Sequence, residues 1–415
     1  MKNNNKSKNI LLLTNIYPLF DKFVSFGTPV CHYFAKEWVK LGYNVKVIHT
    51  QAVYPHFFYL FAKLARGFIE AKTGGIVYKK REKDIFIGNY DGVEIERIPL
   101  LKYVPHGKFS KKHIKRTLNN VIKKNAEQNF VPDYIIGHFT NPMLEMVDYL
   151  KEIYNNKPVS CIVLHSNGSE IKKIYSSNYD SLMSKIDIWG FRSKTIKNSF
   201  ENIYGKQDND FLCYSGIPSD YVDTNLITKN DKIKKFCYVG SLIERKRVDT
   251  IIKALNESFP KKDFEFSIVG RGQCEKKLKK LVNKFELTDQ VHFLGRKSRE
   301  DVTSLMRSSD CFIMLSVNEV FGLVYLEAMG QGCITIGSKG EGIDGIINDG
   351  NNGFLCDPNN LKDIKFTLKR VMSLSLEDRK ELRYNSINTA KNLTDKKVAI
   401  SYVNNLENVR KTKKV

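Results

Sequence analysis

The chain has 415 residues, 42% of them hydrophobic and 27% charged, ordinary globular usage that excludes a disordered or fibrous protein. Its length is about twice what one hydrophobic core serves comfortably, so two domains are expected. Lys and Arg number 67 against 45 Asp and Glu, a formal charge of +22; this points to a polyanionic neighbour or to a Lys- and Asn-rich composition throughout.

The lysine-rich start followed by Ile10-Leu11-Leu12-Leu13 imitates a signal peptide. The apolar run is short and ends in Thr14-Asn15 without a small-residue cleavage site, so a buried first strand, Asn9 to Thr14, is expected instead. A loop follows, then a helix from about Pro29 with Val30, Phe34, Trp38 and Leu41 on its apolar side. Gly42 suits its C-terminus, and Val45 to His49 reads as a second strand. The βαβ order implies a parallel sheet covered by helices. Tyr54 to Ile69 is unusually aromatic, and a basic cluster of Lys108, Lys111, Lys112, Lys115, Arg116, Lys123 and Lys124 lies beyond it. Tyr134 to His138 and Cys161 to His165 read as further strands, each delivering a histidine at the end where open α/β sheets bind ligands.

A polar stretch, Gly205 to Asp210 and then Ile227 to Lys235, separates this half from a second series. Strands are expected at Phe236 to Val239, Phe264 to Val269, Val291 to Leu294, Cys311 to Leu315 and Cys333 to Ile336. Helices are expected at Val248 to Leu255, Glu275 to Phe285, Val302 to Met306 and Gly322 to Met329. The fold class is therefore α/β, with two doubly wound, Rossmann-like domains facing one another across a cleft. The eight cysteines form no C-x-x-C pair and several lie in apolar runs. They read as buried thiols of a reducing compartment, with neither a disulfide framework nor a zinc site. No run approaches the length of a membrane-spanning helix.

The chemistry concentrates in the second half. Gly240-Ser241 ends a strand, and Arg245-Lys246 stands just before a helix. A glycine admits a ligand close to the backbone, and paired cations can neutralise a diphosphate. Alone, the segment is equally a tight turn with two solvated cations. Gly270-Arg271-Gly272 lacks the third glycine of a dinucleotide fingerprint. Glu319-Val320-Phe321-Gly322-Leu323 is the strongest element: a carboxylate in a loop, then a glycine opening a helix whose free N–H groups favour an anion. Glu327 lies farther along that largely apolar helix, where its carboxylate can accept two hydrogen bonds from a ribose diol.

Here the sequence resembles the retaining, GT-B-fold glycosyltransferases of family 4 (glycosyl transferases group 1), of capsular and surface-polysaccharide type. Their E-x7-E motif reads as Glu319 and Glu327, ahead of Ala328-Met329-Gly330-Gln331-Gly332. Gly240, Lys246-Arg247-Val248-Asp249, Ile268 to Gly272, His292 to Gly295 and Ile347 to Leu355 agree in order and spacing. The resemblance covers essentially all of the second half and the first only in outline. It implies an acceptor-binding domain over 1–205, a nucleotide-sugar domain over 206–390, and a C-terminal helix over 391–415 returning to the first.

The resemblance also implies roles. Lys246 and Arg245 would hold the donor diphosphate, Glu327 the ribose, and Glu319 with the Phe321, Gly322 and Leu323 amides the sugar and phosphate. His165 would touch the donor sugar at the interdomain cleft, with His138 the weaker candidate. Gly27 would close over the diphosphate, and Gly240, Ser241, Gly270 and Arg296 would complete the nucleotide site. Ser241 and Gly345 replace the family's usual arginine and glutamate, with Glu341 and Asp344 near the latter. No cofactor or metal is implied; the partners are a UDP- or GDP-sugar donor and a glycan or polyprenyl-diphosphate-linked acceptor. An anionic membrane surface at the cytoplasmic face is a further expected partner. Asp208-Asn209-Asp210 matches the D-x-D of metal-dependent GT-A enzymes but falls in a polar stretch, so a solvated loop is expected there. The rival reading is a basic nucleic-acid- or nucleotide-binding protein without catalysis, although no nucleic-acid motif accompanies the charge.

Overall fold

A computed structural model describes residues 7–20, 29–60, 84–104, 107–223 and 233–413. Two compact units divide the chain: Met1–Phe191, Ile196–Cys213 and Ala399–Val415 form the first, Arg192–Thr195 and Tyr214–Val398 the second.

The first unit contains β1 (Asn9–Thr14), α1 (Val30–Lys40), β2 (Asn44–Val53), β3 (Phe86–Tyr90), β4 (Val93–Leu101), α2 (Lys111–Glu127) and β5 (Tyr134–His138). It continues through α3 (Met143–Ile153), β6 (Val159–Leu164), α4 (Ser169–Tyr175), α5 (Tyr179–Met183), β7 (Ile188–Phe191), α6 (Lys194–Tyr204) and β8 (Asp210–Leu212). The sheet order is β3-β4-β2-β1-β5-β6-β7-β8, parallel except for β3, which pairs antiparallel with β4. β6 is buried at every position, as a parallel strand covered on both faces must be. Leu11, Leu13, Ile135, Ile162 and Trp189 share its core, each stabilising the unit by about 1.5–3 kcal/mol.

Two elements depart from the sequence reading, and the last helix follows it. The β3–β4 hairpin was not anticipated, although Asp91-Gly92 turns it with φ of 54° and 79°, the positive angles an Asp-Gly hairpin turn requires. Asp210 opens β8, so Gly205 to Asp210 belongs to the first unit and leads into its edge strand; a three-residue strand beginning on an acid carries almost no pattern. From Ala399 the last helix, α13 (Asp395–Lys413), packs in the first unit. Trp38 Nε1–H donates to the Ala399 carbonyl at 3.2 Å, and the Tyr402 ring lies between 4.9 and 5.3 Å from Phe34, Trp38 and Phe211.

The second unit contains β9 (Lys235–Val239), α7 (Val248–Ser258), β10 (Glu265–Val269), α8 (Glu275–Lys284), β11 (Val291–Gly295), α9 (Arg299–Ser308) and β12 (Cys311–Ile313). Then come α10 (Leu323–Gly330), β13 (Ile334–Ser338), β14 (Phe354–Cys356), α11 (Leu361–Met372) and α12 (Leu376–Asn392). Its six parallel strands run β11-β10-β9-β12-β13-β14. The chain winds outward from β9 in one direction and from β12 in the other, so the strand order reverses between them. In the first unit the reversal falls between β1 and β5. Such reversals open a crevice at the carboxyl ends of the strands.

Of the eight cysteines, seven are buried, and Cys274 is partly exposed. Among the described residues no helix is long and apolar enough to cross a membrane. Residues 56–60 of the aromatic stretch are helical, with Phe57 61% and Leu60 72% exposed and Phe58 stacked on Tyr54. Phe61 to Ile69 and Gly27 lie outside the described residues.

Candidate functional site

The turns after β9 and β10 lock together backbone to backbone. The Gly240 N–H donates to the Val269 carbonyl and the Leu242 N–H to the Arg271 carbonyl, both at 3.0 Å. A Cβ on Gly270 would stand 1.9 Å from the Gly240 oxygen, and φ there is +135°, so only glycine allows the approach. Ser241 presents an exposed side chain, and its carbonyl accepts from the Tyr238 hydroxyl at 2.9 Å.

This turn delivers Arg245 and Lys246 beside the loop that follows β12. The Val317 N–H donates to the Arg245 carbonyl at 2.8 Å. Glu319 Oε2 receives both cations, Lys246 Nζ at 2.5 Å and an Arg245 guanidinium N–H at 3.0 Å. Burial pushes the Lys246 amine below its ordinary value against the pull of Glu319. Burial would raise the Glu319 carboxyl, but Lys246 and Arg245 together hold it below the usual range. The Glu319 N–H donates to Glu341 Oε2 at 2.8 Å, and its carbonyl accepts from Gly342 at 2.9 Å.

Gly322 caps α10 with φ +79° and no side-chain cap, leaving the helix's first amides open to a ligand. Phe321 is buried beside Tyr214 and under the Arg192 guanidinium, 5.4 Å from its ring centre. Glu327 projects from the middle of α10. Among the described residues its carboxylate accepts no hydrogen bond, and burial raises its pKa against a weaker opposing pull from Arg299.

Gly240, Ser241, Arg245, Lys246, Gly270, Glu319, Phe321, Gly322, Leu323 and Glu327 thus come from the elements flanking the second unit's strand reversal. Arg296 comes directly after Gly295, whose carbonyl accepts from the Gly270 N–H at 2.8 Å. It follows the outermost strand, β11, with an exposed side chain. Glu341 supports the loop of Glu319, which the sequence reading noted only as a neighbouring acid, and Arg192 was missed. The signal for Arg192 was a pair of cations, Arg192 and Lys194, directly after the apolar run Ile188 to Phe191.

In the first unit His165 follows β6 and stacks on Phe139 at 4.0 Å between ring centres. Its Nε2 lies 2.9 Å from His138 Nδ1, and His138 Nε2 lies 3.4 Å from the Tyr402 hydroxyl. His138 is fully buried. Beyond the pair, Glu170 accepts from the Thr140 and Ser166 hydroxyls at 2.7 and 3.2 Å.

The D-x-D lies elsewhere. Asp210 is ion-paired with Lys197. Asp208 lines a cavity of about 480 Å³ with Asp180, Asp187 and Lys413, at the amino ends of β7 and β8. Among the described residues no group of three or more His, Cys, Asp or Glu is placed to hold a metal.

Comparison with known proteins bears on both units. Residues 224–389 match the family model described as glycosyl transferases group 1. An uncharacterized glycosyltransferase of Methanocaldococcus jannaschii is 32% identical over 46% of this chain and 50% of its own length. A second from the same organism is 25% identical over 72% of this chain and 82% of its own. The chain thus spans about half the length of the first of these relatives. The structure of the Anabaena protein HepE in complex with UDP superposes with a TM-score of 0.66 at 15% identity, covering 97% of this chain and 100% of that one. The structural likeness shows the fold, two Rossmann-like parallel-sheet domains of GT-B type.

Proposed function

We propose, from the premise that residues 224–389 belong to the glycosyl transferases group 1, that this protein moves a sugar from a nucleoside diphosphate to an acceptor hydroxyl. The observation that carries the reading is the convergence of Lys246, Arg245 and the uncapped start of α10 at one strand reversal. Two cations and open amides are what a diphosphate leaving group requires, and they stabilise its charge without reorganising during the reaction. Glu327, whose carboxylate accepts no hydrogen bond among the described residues, suits the ribose hydroxyls. Glu319 and the Phe321, Gly322 and Leu323 amides serve sugar and phosphate, and His165 supplies an imidazole to the transferred sugar.

In this reading the acceptor attacks from the face the diphosphate leaves, so configuration is retained, and the leaving phosphate helps to take the acceptor proton. The fixed cations carry the charge otherwise assigned to a divalent metal. The complex of HepE with UDP supports a nucleotide ligand in this fold; UDP and GDP are the donors to test. Thermal stabilisation by either, followed by product formation from the matching nucleotide sugar, tests the reading. Retardation of nucleic acid at physiological salt without nucleotide binding would overturn it.

The acceptor we propose is a glycan or a polyprenyl-diphosphate-linked glycan of surface-polysaccharide synthesis, met at an anionic membrane surface on the cytoplasmic side. Residues 102–126 carry eight Lys and Arg and no Asp or Glu, and most of those on α2 are exposed. Phe57, Leu60, Tyr103 and Val104 are exposed nearby in sequence, a mixture that favours an interfacial, salt-sensitive contact.

A further inference from the structure

The cations assigned to the diphosphate are already neutralised. Glu319 Oε2 takes a hydrogen bond from Lys246 Nζ at 2.5 Å and from Arg245 at 3.0 Å. Lys246 is only 8% exposed, and among the described residues its further polar contact is the weakly accepting Met314 sulfur at 3.6 Å. A buried ammonium without a counter-ion is costly, so the unliganded site keeps one of its own. A diphosphate approaching the same two donors must therefore compete with Glu319.

The carboxylate is held for an exchange of this kind. Its backbone is fixed independently of the side chain: the Glu319 N–H bonds Glu341, its carbonyl accepts from Gly342, and Val317 is tied to Arg245. A Cβ on Gly342 would stand 2.3 Å from the Val320 carbonyl, so the loop is packed against that turn. The side chain can leave the cations while the loop stays in place.

We propose that Glu319 is an internal stand-in for the donor's diphosphate, exchanged on binding and restored on product release. The inference rests on the reading of Lys246 and Arg245 as diphosphate ligands. When the nucleotide sugar binds, its phosphate oxygens take over the donors of Lys246 and Arg245, and the freed carboxylate turns to the sugar. After transfer the carboxylate again competes for both cations and weakens the hold on the nucleoside diphosphate. Glu319 therefore lowers product affinity, the opposite of what a residue that only shaped the site would do.

The test is the affinity of UDP and GDP for the full chain, by calorimetry, in wild type, Glu319→Gln, Glu319→Ala and Lys246→Ala. The melting temperature of each variant checks the fold. The amide of Glu319→Gln keeps shape and hydrogen bonding but loses the charge. It should bind the preferred nucleoside diphosphate about tenfold more tightly, the scale of one charge-assisted hydrogen bond, and should show stronger product inhibition in any residual turnover. Unchanged or weaker binding by a folded Glu319→Gln overturns the stand-in role. Should Glu319→Ala lose stability, Glu319→Gln decides alone. If neither nucleotide binds wild type, or Lys246→Ala binds as well as wild type, the diphosphate assignment itself fails, which is a separate outcome.

Discussion

The two strand reversals solve different chemical problems with the same architecture. In the second unit the carboxyl ends of β9 and β12 carry formal charge: Arg245 and Lys246 against Glu319, with the open start of α10 beside them. In the first, the ends of β5 and β6 carry two imidazoles in contact, His138 and His165, and hydroxyls from Thr140 and Ser166 satisfying Glu170. Charge held in movable pairs suits an anion that arrives and leaves. A relay of hydrogen-bonding groups suits a neutral, hydroxyl-rich partner. The doubly wound scaffold fixes only the position of each site; the residues on its turns set the chemistry.

The contrast is broken most directly at Lys246. Lys246→Ala should remain folded and lose transfer by about a hundredfold or more, the usual consequence of deleting a preorganised electrostatic group, as steady-state kinetics will show; wild-type turnover would end the anion reading. Next comes Glu327. Glu327→Ala should weaken nucleotide binding about tenfold, as removal of a charged hydrogen-bond acceptor does, whereas Glu319→Ala should depress transfer without weakening nucleotide binding. Because burial raises the Glu327 pKa, its protonated form persists to higher pH than in an ordinary glutamate. A protonated carboxyl accepts poorly from the ribose, so nucleotide affinity in wild type should fall as pH drops through that raised value. Calorimetry across pH should show the fall in wild type and not in Glu327→Gln.

The first unit should respond more mildly. His165→Asn should lower kcat about fivefold, the scale of one neutral hydrogen bond, and leave the affinity for free nucleoside diphosphate unchanged; an equal loss in both would erase the division of labour between the reversals. Phe57→Ser with Leu60→Ser should reduce sedimentation with anionic vesicles severalfold at low salt, as loss of two interfacial apolar anchors does. Indifference of wild type to such vesicles would favour a soluble acceptor. The smallest expected effect is none at all: activity should survive EDTA, and loss restored by Mn²⁺ or Mg²⁺ would bring Asp208 and Asp210 back into consideration.

Much of the second unit was legible because its strands are apolar runs and its turns carry glycines at positions no other residue tolerates. Gly270 is the plainest case, its missing side chain being the space the Gly240 carbonyl fills. The first unit was harder to read for physical reasons. β3 is an edge strand with alternating exposure, and β8 is three residues long. Periodicity reports what an element buries and says nothing of which distant segment it meets. The pairing of Glu319 with both cations was equally invisible, since residues 245 and 319 are neighbours only through the β9–β12 ladder and the bond from Val317 to Arg245.

The placement of Ala399 onward in the first unit has a consequence for the growing chain on the ribosome. Trp38, Phe34 and Phe211 receive the Tyr402 ring only after the whole of the second unit has been synthesised. At typical elongation rates the first unit waits roughly ten to forty seconds, incomplete, while the second is made and folds. During that interval the apolar face that Phe34, Trp38 and Phe211 offer to Tyr402 is open. A chain released before residue 399 would keep that face uncovered. The residues of the second unit lie almost wholly in one continuous stretch, so its own core needs nothing synthesised after residue 398.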